Sequence, residues 1–308
     1  MRANRIPLTL AGFLICTVPM LPQDTPIGTA GTQVATEETP GAAANTDALR
    51  KAAQNPVASL ITAPVQNNNN FGSPAVTTVQ EAHPPHWSYE GKEGPKEWGK
   101  LDSSYAACSI GHTQSPIDIK DARKADLPPL KFDYHAVALN IIDNGHTVQV
   151  NYAPGSTLTV GEKIYTLKQF HFHHPSEEHV DGKGFRLVAH LVHADADGHL
   201  AVVAVLFELG TANPLIETLW KNIPSEKEKP QDIPSVSIQA EDLLPNERSY
   251  FTYAGSLTTP PCSEGASWYV LNSYTTISPQ QLAAFAKIYP RNARPLQPSN
   301  GREILLSK

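Results

Sequence analysis

From Trp87 to the C-terminus the apolar positions of this chain are grouped for strands rather than helices. Residues 139–142 and 147–152 are apolar runs flanking Asp143-Asn144-Gly145, and an Asn-Gly step between two such runs predicts a hairpin. Residues 157–160 and 163–167 flank Gly161-Glu162, a second short reversal. Residues 185–193 read as an extended segment, which Asp195-Ala196-Asp197-Gly198 turns back into residues 200–209. The unbroken apolar run 201–207 predicts a strand covered on both faces, and residues 268–273 predict a further central strand. Helices are few: one over 215–220 and one over 278–289, with Ser278 as N-cap and Pro279 in the first turn. The fold class is therefore mainly β, a large and mostly antiparallel central sheet with a few short peripheral helices.

Upstream of residue 84 the pattern changes. Residues 1–21 read as an export signal: Arg2 and Arg5 supply positive charge, and residues 8–18 are apolar but too short to span a bilayer. Pro19 and Pro22 end that stretch, and no small-x-small motif marks a cut, so an uncleaved anchor is the alternative. Residues 22–83 are rich in Thr, Ala, Pro and Asn, include Asn67-Asn68-Asn69-Asn70 and hold few aromatics. Such a segment buries too little apolar surface to offset the entropy of ordering, and it reads as a low-complexity, disordered spacer. Residues 84–308 then form one domain.

Charge and cysteines narrow the setting. Against 24 Lys and Arg stand 30 Asp and Glu, a net charge of -6, which argues against a surface built for nucleic acid or anionic lipid. The 27 prolines crowd into the first third and the loops, in keeping with low helix content. Of three cysteines, Cys16 lies in the signal segment, leaving Cys108 and Cys262. In an oxidising compartment these form one bridge; otherwise they are two buried thiols. The expected location is exported, periplasmic or secreted, with a membrane as partner only if the signal segment is retained.

The candidate chemistry sits in Gln169-Phe170-His171-Phe172-His173. Side chains two apart on a strand share a face, so His171 and His173 point one way and Phe170 and Phe172 the other. Alone, the pair fits a metal site or two solvated imidazoles equally well. His190 lies inside the apolar segment 187–192, where an imidazole is costly unless its nitrogens are engaged. With the His-x-His pair on a nearby segment, three neutral imidazoles suit a zinc ion whose fourth position stays open.

At these residues the chain, from about His86 to Arg302, resembles the α-class carbonic anhydrases, in particular the compact secreted bacterial type. The resemblance is carried, in order, by Trp87-Ser88-Tyr89, Gln114-Ser115-Pro116-Ile117, Asn144-Gly145-His146, residues 169–173, Ser176-Glu177-Glu178-His179, His190-Leu191-Val192-His193, Leu257-Thr258-Thr259-Pro260-Pro261-Cys262, and Asn292 with Arg294-Pro295. It implies an α-carbonic anhydrase catalytic domain over 84–308, with Zn2+ as cofactor and carbon dioxide and bicarbonate as substrates. The implied reaction is reversible hydration by attack of zinc-bound hydroxide. The same resemblance assigns His171, His173 and His190 as ligands, Thr258 as the group orienting the hydroxide, and Glu178 as the carboxylate receiving the Thr258 proton. His146 matches the proton shuttle, a role suited to an imidazole titrating near neutrality. Tyr89, Asn144 and Gln149 match positions that order water, and Gln169 matches the partner of His171. Val192, Val202, Leu257 and Trp268 match the apolar pocket, with Thr259 in the same lining and Ala266 smaller than the usual valine. His146, Glu178, Thr258 and the pocket residues also have plain readings, as a hairpin histidine, a surface acid, a loop threonine and core. One departure stands out: many relatives carry a glutamate two residues before the third ligand, and here that position is Val188. A homodimer is a further expectation from the compact relatives. A non-catalytic binding module and an envelope zinc buffer are the rival functions, the latter prompted by 12 histidines.

Overall fold

A computed structural model of the chain describes residues 85–308; the signal and spacer expected at 1–21 and 22–83 lie outside the described residues. Thirteen strands join into one mixed sheet. Ten run side by side: β1 (Arg123–Ala125), β2 (Val137–Asp143), β3 (Val148–Asn151), β4 (Lys163–His173), β5 (Leu187–Ala194), β6 (Leu200–Leu209), β7 (Gln231–Ile238), β8 (Tyr250–Ser256), β9 (Glu264–Leu271) and β10 (Leu305–Ser307). Their order across the sheet is β7-β2-β3-β4-β5-β6-β9-β8-β10-β1. These neighbours are antiparallel except β6 with β9 and β10 with β1. Strand Thr157–Val160 pairs with Leu130–Asp133 and with β4, and Thr275–Ile277 runs parallel to β6.

Strand β6 shows how the sequence dictates this. Ala201, Val203, Val205 and Phe207 enter one core with Phe170, Phe172, Leu187, Ala189 and Leu191. Val202, Ala204 and Leu206 enter a second core with Val188, Trp268 and Val270. The run is covered on both faces, as its unbroken apolar character predicts, and each buried Val, Leu or Phe side chain stabilises the fold by about 1.5–3 kcal/mol. Helices α1 (Pro214–Lys221) and α2 (Pro279–Ile288) cover the first core with Leu215, Ile216, Leu219 and Phe285. The α2 start is closed by a capping box: the Ser278 hydroxyl accepts from the Gln281 amide and the Gln281 side chain accepts from the Ser278 amide, both at 3.1 Å. The same buried Gln281 side chain donates to the Asn213 carbonyl at 2.7 Å, and Asn213 caps α1.

Several stretches depart from the pattern reading, which expects none of β1, β7 or β10. Strand β9 begins at Glu264 and ends at Leu271, and the His-x-His segment belongs to the long β4 rather than to a separate short strand. Strand β8 was not foreseen, because Thr252, Gly255 and Ser256 interrupt its apolar alternation. Gly255 is there for contact: a Cβ would lie 2.3 Å from the Ser115 hydroxyl and 2.6 Å from the Trp268 ring. Among the described residues no helix is long and apolar enough to cross a membrane.

The hairpin between β2 and β3 forms as expected. Asn144 Oδ1 accepts from the amides of His146 and Thr147 at 3.0 and 2.9 Å, and Gly145 takes φ +83°.

One buried histidine serves the fold alone. His193 of β5 donates from Nδ1 to the Ala201 carbonyl at 3.1 Å and accepts at Nε2 from the Tyr134 hydroxyl at 2.7 Å. Burial pushes its pKa down to about 4. The unfolded chain takes this proton near pH 6.5, so the stability is complete above that pH and is lost as pH falls toward about 4, amounting to about 3 kcal/mol. The urea midpoint is expected to fall less between pH 7 and pH 4.5 in His193→Gln than in the wild type. Equal falls would contradict this role.

Candidate metal centre

The site is built by strand register. His190 of β5 lies directly opposite His171 of β4, and Gln149 of β3 lies opposite His171 from the other side. His171 and His173 share a face, while Phe170 and Phe172 are fully buried on the other. The three imidazole centroids stand 5.0, 5.5 and 4.8 Å apart, and one ligand nitrogen from each ring lies within 4.8 Å of the others.

Each ring also has one nitrogen committed to a protein acceptor. His171 Nδ1 donates to Gln169 Oε1 at 2.8 Å, His173 Nδ1 to the Asn292 carbonyl at 2.6 Å, and His190 Nε2 to Glu178 Oε1 at 3.0 Å. The nitrogens left over are Nε2 of His171, Nε2 of His173 and Nδ1 of His190. His173 Nε2 is buried with no hydrogen-bond partner. A buried imidazole nitrogen without a partner is costly, and two more rings turned toward it make a set that fits a divalent metal taking nitrogen ligands. Burial lowers the His171 pKa to about 3 and holds that of His173 well below its usual value, so both are neutral and able to ligate. Burial acts the same way on His190, but the Glu178 and Glu177 carboxylates outweigh it and raise its pKa.

The two adjacent glutamates divide their work differently from the sequence expectation. Glu178, assigned there to Thr258, instead holds His190, with Oε2 also within 3.2 Å of Nε2. Glu177 is the carboxylate beside Thr258. The Thr258 hydroxyl is near enough to favour the ionised carboxylate, yet not placed to satisfy Glu177 Oε2, which has no partner. The reason for the shift is local. Glu177 Oε1 is anchored by the Arg294 amide at 2.7 Å, which turns that carboxylate toward the Thr258 loop. Burial, reinforced by Glu178, raises the Glu177 pKa to about 7.

The remaining expected residues gather around this centre. Val192 pairs with Val202, and Val202 with Trp268, so three strands lay an apolar strip beside the histidines; the Trp268 ring meets His190 edge-on at 4.9 Å. Ala266 is buried nearby in the same core. Leu257, Thr258 and Thr259 lie on a loop closed by the Leu257 amide to the Ser263 carbonyl at 2.9 Å. That loop ends at Cys262, which is bonded to Cys108 with Cα atoms 5.0 Å apart. Tyr89 presents a buried hydroxyl without a partner, and Asn144 donates to Gln149 Oε1 at 3.3 Å. His146 stacks flat on Trp87, with centroids 3.6 Å apart and planes 8° from parallel. Burial, then the charge of His86, brings its pKa down to about 4. Val188 is fully buried and apolar, as read from the sequence. His174 donates from Nδ1 to the Arg186 carbonyl at 2.7 Å.

The family model described as eukaryotic-type carbonic anhydrase matches residues 93–308. The chain belongs to the α-carbonic anhydrase family. A carbonic anhydrase of Pectobacterium carotovorum is 46% identical over 222 residues, covering 71% of this chain and 90% of that protein. One of Nostoc sp. is 42% identical over 238 residues, covering 76% and 90%. The solved α-carbonic anhydrase of Thermovibrio ammonificans, in complex with the inhibitor sulfanilamide, superposes with a TM-score of 0.69 at 42% identity, covering 73% of this chain and all of that one. The chain is thus a carbonic anhydrase, an enzyme of carbon dioxide hydration.

Within this carbonic anhydrase, sequence reasoning missed the functions of three residues. Asn292 orients His173 through its backbone carbonyl, which no side-chain motif reveals. Glu177 was passed over for its neighbour, and Trp87 was read only as part of a matching stretch. Trp87→Ala is expected to raise the His146 pKa by at least about one unit from its value near 4 toward about 6.5, measured by NMR titration of the ring. An unchanged pKa would show that the stack does not hold the imidazole neutral.

Proposed function

We propose that this carbonic anhydrase holds a zinc ion with His171, His173 and His190 and passes the proton released on hydration of carbon dioxide outward through His146. The observation behind the reading is the division of ring nitrogens, one on each imidazole engaged by the protein and one left over. Three imidazoles with no carboxylate among them, two of them held neutral by burial, suit the open, catalytic arrangement known for the zinc of carbonic anhydrases. In these enzymes the bound metal lowers the pKa of a water molecule to about 7, making a strong nucleophile available at neutral pH.

The chain's own residues do the rest. Val192, Val202, Leu257 and Trp268 offer an apolar wall to carbon dioxide, which is uncharged until bicarbonate forms. Thr258, buried beside Glu177, is placed to orient the attacking oxygen through its hydroxyl. His146 is half-buried and close to the exposed His86, with ring centroids 6.3 Å apart. With a pKa near 4 in its stacked position, His146 gives up a proton readily and takes one up weakly at neutral pH. The Cys108–Cys262 bridge supports an oxidising location, periplasmic or secreted, reached through the segment 1–21.

Complete removal of zinc with a chelator is expected to reduce carbon dioxide hydration to the background rate, and one equivalent of zinc to restore it; activity unaffected by full zinc loss would overturn the reading. His146→Ala is expected to lower kcat in dilute buffer while kcat/KM holds, with added imidazole restoring kcat. A kcat equal to wild type in dilute buffer would remove His146 from the proton path.

A further inference from the structure

His190 receives no polar partner from its own strand. Val188 lies two residues before His190 on the same face, fully buried in the core with Val202, Ala204, Leu206 and Trp268, and offers the imidazole nothing. His190 Nε2 is nevertheless satisfied twice over, by Glu178 Oε1 at 3.0 Å and Oε2 at 3.2 Å.

Glu178 comes from a different part of the chain, the turn that follows β4. Its backbone is clamped there. The Ser176 hydroxyl donates to the Glu178 carbonyl at 2.9 Å and itself accepts from the Phe185 amide at 2.8 Å, and the His179 amide donates to the Ile117 carbonyl at 3.3 Å. The side chain is fully buried. A carboxylate removed from water in this way is costly unless its partner repays the desolvation. An imidazole that must keep one tautomer and stay basic does so, because a carboxylate on the far nitrogen both orients a ligand ring and strengthens its bond to metal. A second glutamate at position 188 would bring two like charges to one N–H, with Glu177 Oε2 already 3.9 Å from the other nitrogen.

We propose that Glu178 is the positioning residue of His190, supplying from a neighbouring turn the carboxylate that His190's own strand, with Val188 on that face, does not offer, so that Val188 and Glu178 form a compensated pair. The inference rests on the zinc reading above.

The test measures the rate of zinc loss to excess chelator from the wild type, Glu178→Gln, Glu178→Ala, Val188→Glu and the double variant Glu178→Ala/Val188→Glu. Near-UV circular dichroism checks the fold of each. Glu178→Ala is expected to speed zinc loss about 10–100-fold, and Glu178→Gln, which keeps an acceptor oxygen without the charge, to fall between it and the wild type. The double variant is expected to recover most of the loss, whereas Val188→Glu alone gains nothing. With cobalt in place of zinc, the visible spectrum is expected to change in Glu178→Ala and to return in the double variant, a signature that mere loss of stability would not give. Glu178→Ala and Glu178→Gln that both release zinc as slowly as the wild type would overturn the inference, as would a folded double variant no slower than Glu178→Ala. If the double variant does not fold, the graded order of the two single variants and the cobalt spectrum of Glu178→Ala decide. A wild-type chain that takes up no zinc would overturn the metal reading itself, a result distinct from tight zinc binding that ignores residue 178.

Discussion

An imidazole buried in a β-sheet brings two ring nitrogens out of water, and neither can be left without a partner at low cost. Three such rings meet where β4 and β5 pair, and the surrounding structure is arranged around that constraint. Each ring is met on one nitrogen by an acceptor from a different place: Gln169 on β4 itself, the Asn292 backbone near the C-terminus, and Glu178 on the turn after β4. The acceptors leave the other three nitrogens grouped within 4.8 Å of one another. The sheet alone would set the positions of the rings; the acceptors set their tautomers and so decide which atoms face a metal.

This is why a segment remote in sequence matters so much. Residues 292–294 hold His173 through the Asn292 carbonyl and Glu177 through the Arg294 amide. Arg294 in turn donates to the Gln114 side chain and to the Ser115 and Cys108 carbonyls. The Cys108–Cys262 bridge carries the connection on to the loop bearing Thr258. Trp98 packs in the core around the disulfide and contacts Trp87, the platform for His146. The expected site residues, scattered over more than a hundred positions, are thus held by one continuous network, and the buried polar side chains in it are costly to remove singly.

Much of this was legible in the sequence, and the limits have physical causes. The apolar run 201–207 announced a strand covered on both faces, Asn144-Gly145 announced its hairpin, and Ser278-Pro279 announced the start of α2, because each depends on local chemistry. The candidate histidine set followed from the period of two along β4 and from an imidazole in an apolar strand. Strand β8 was missed because its polar and small residues answer to contacts such as Gly255 against Trp268, which form only after folding. The exchange between Glu177 and Glu178 was missed for the same kind of reason. Adjacent carboxylates look alike in sequence, and only the Arg294 amide, 117 residues further along the chain, tells them apart.

The central claim is that the protein, by committing one nitrogen of each imidazole, chooses the nitrogen that meets the metal. Nitrogen-15 NMR of histidine-labelled, zinc-loaded protein reads this directly. The account predicts two ligand rings protonated at Nδ1, those of His171 and His173, and one protonated at Nε2, that of His190. Finding His190 protonated at Nδ1, or finding no zinc-dependent change in any of the three rings, would contradict it.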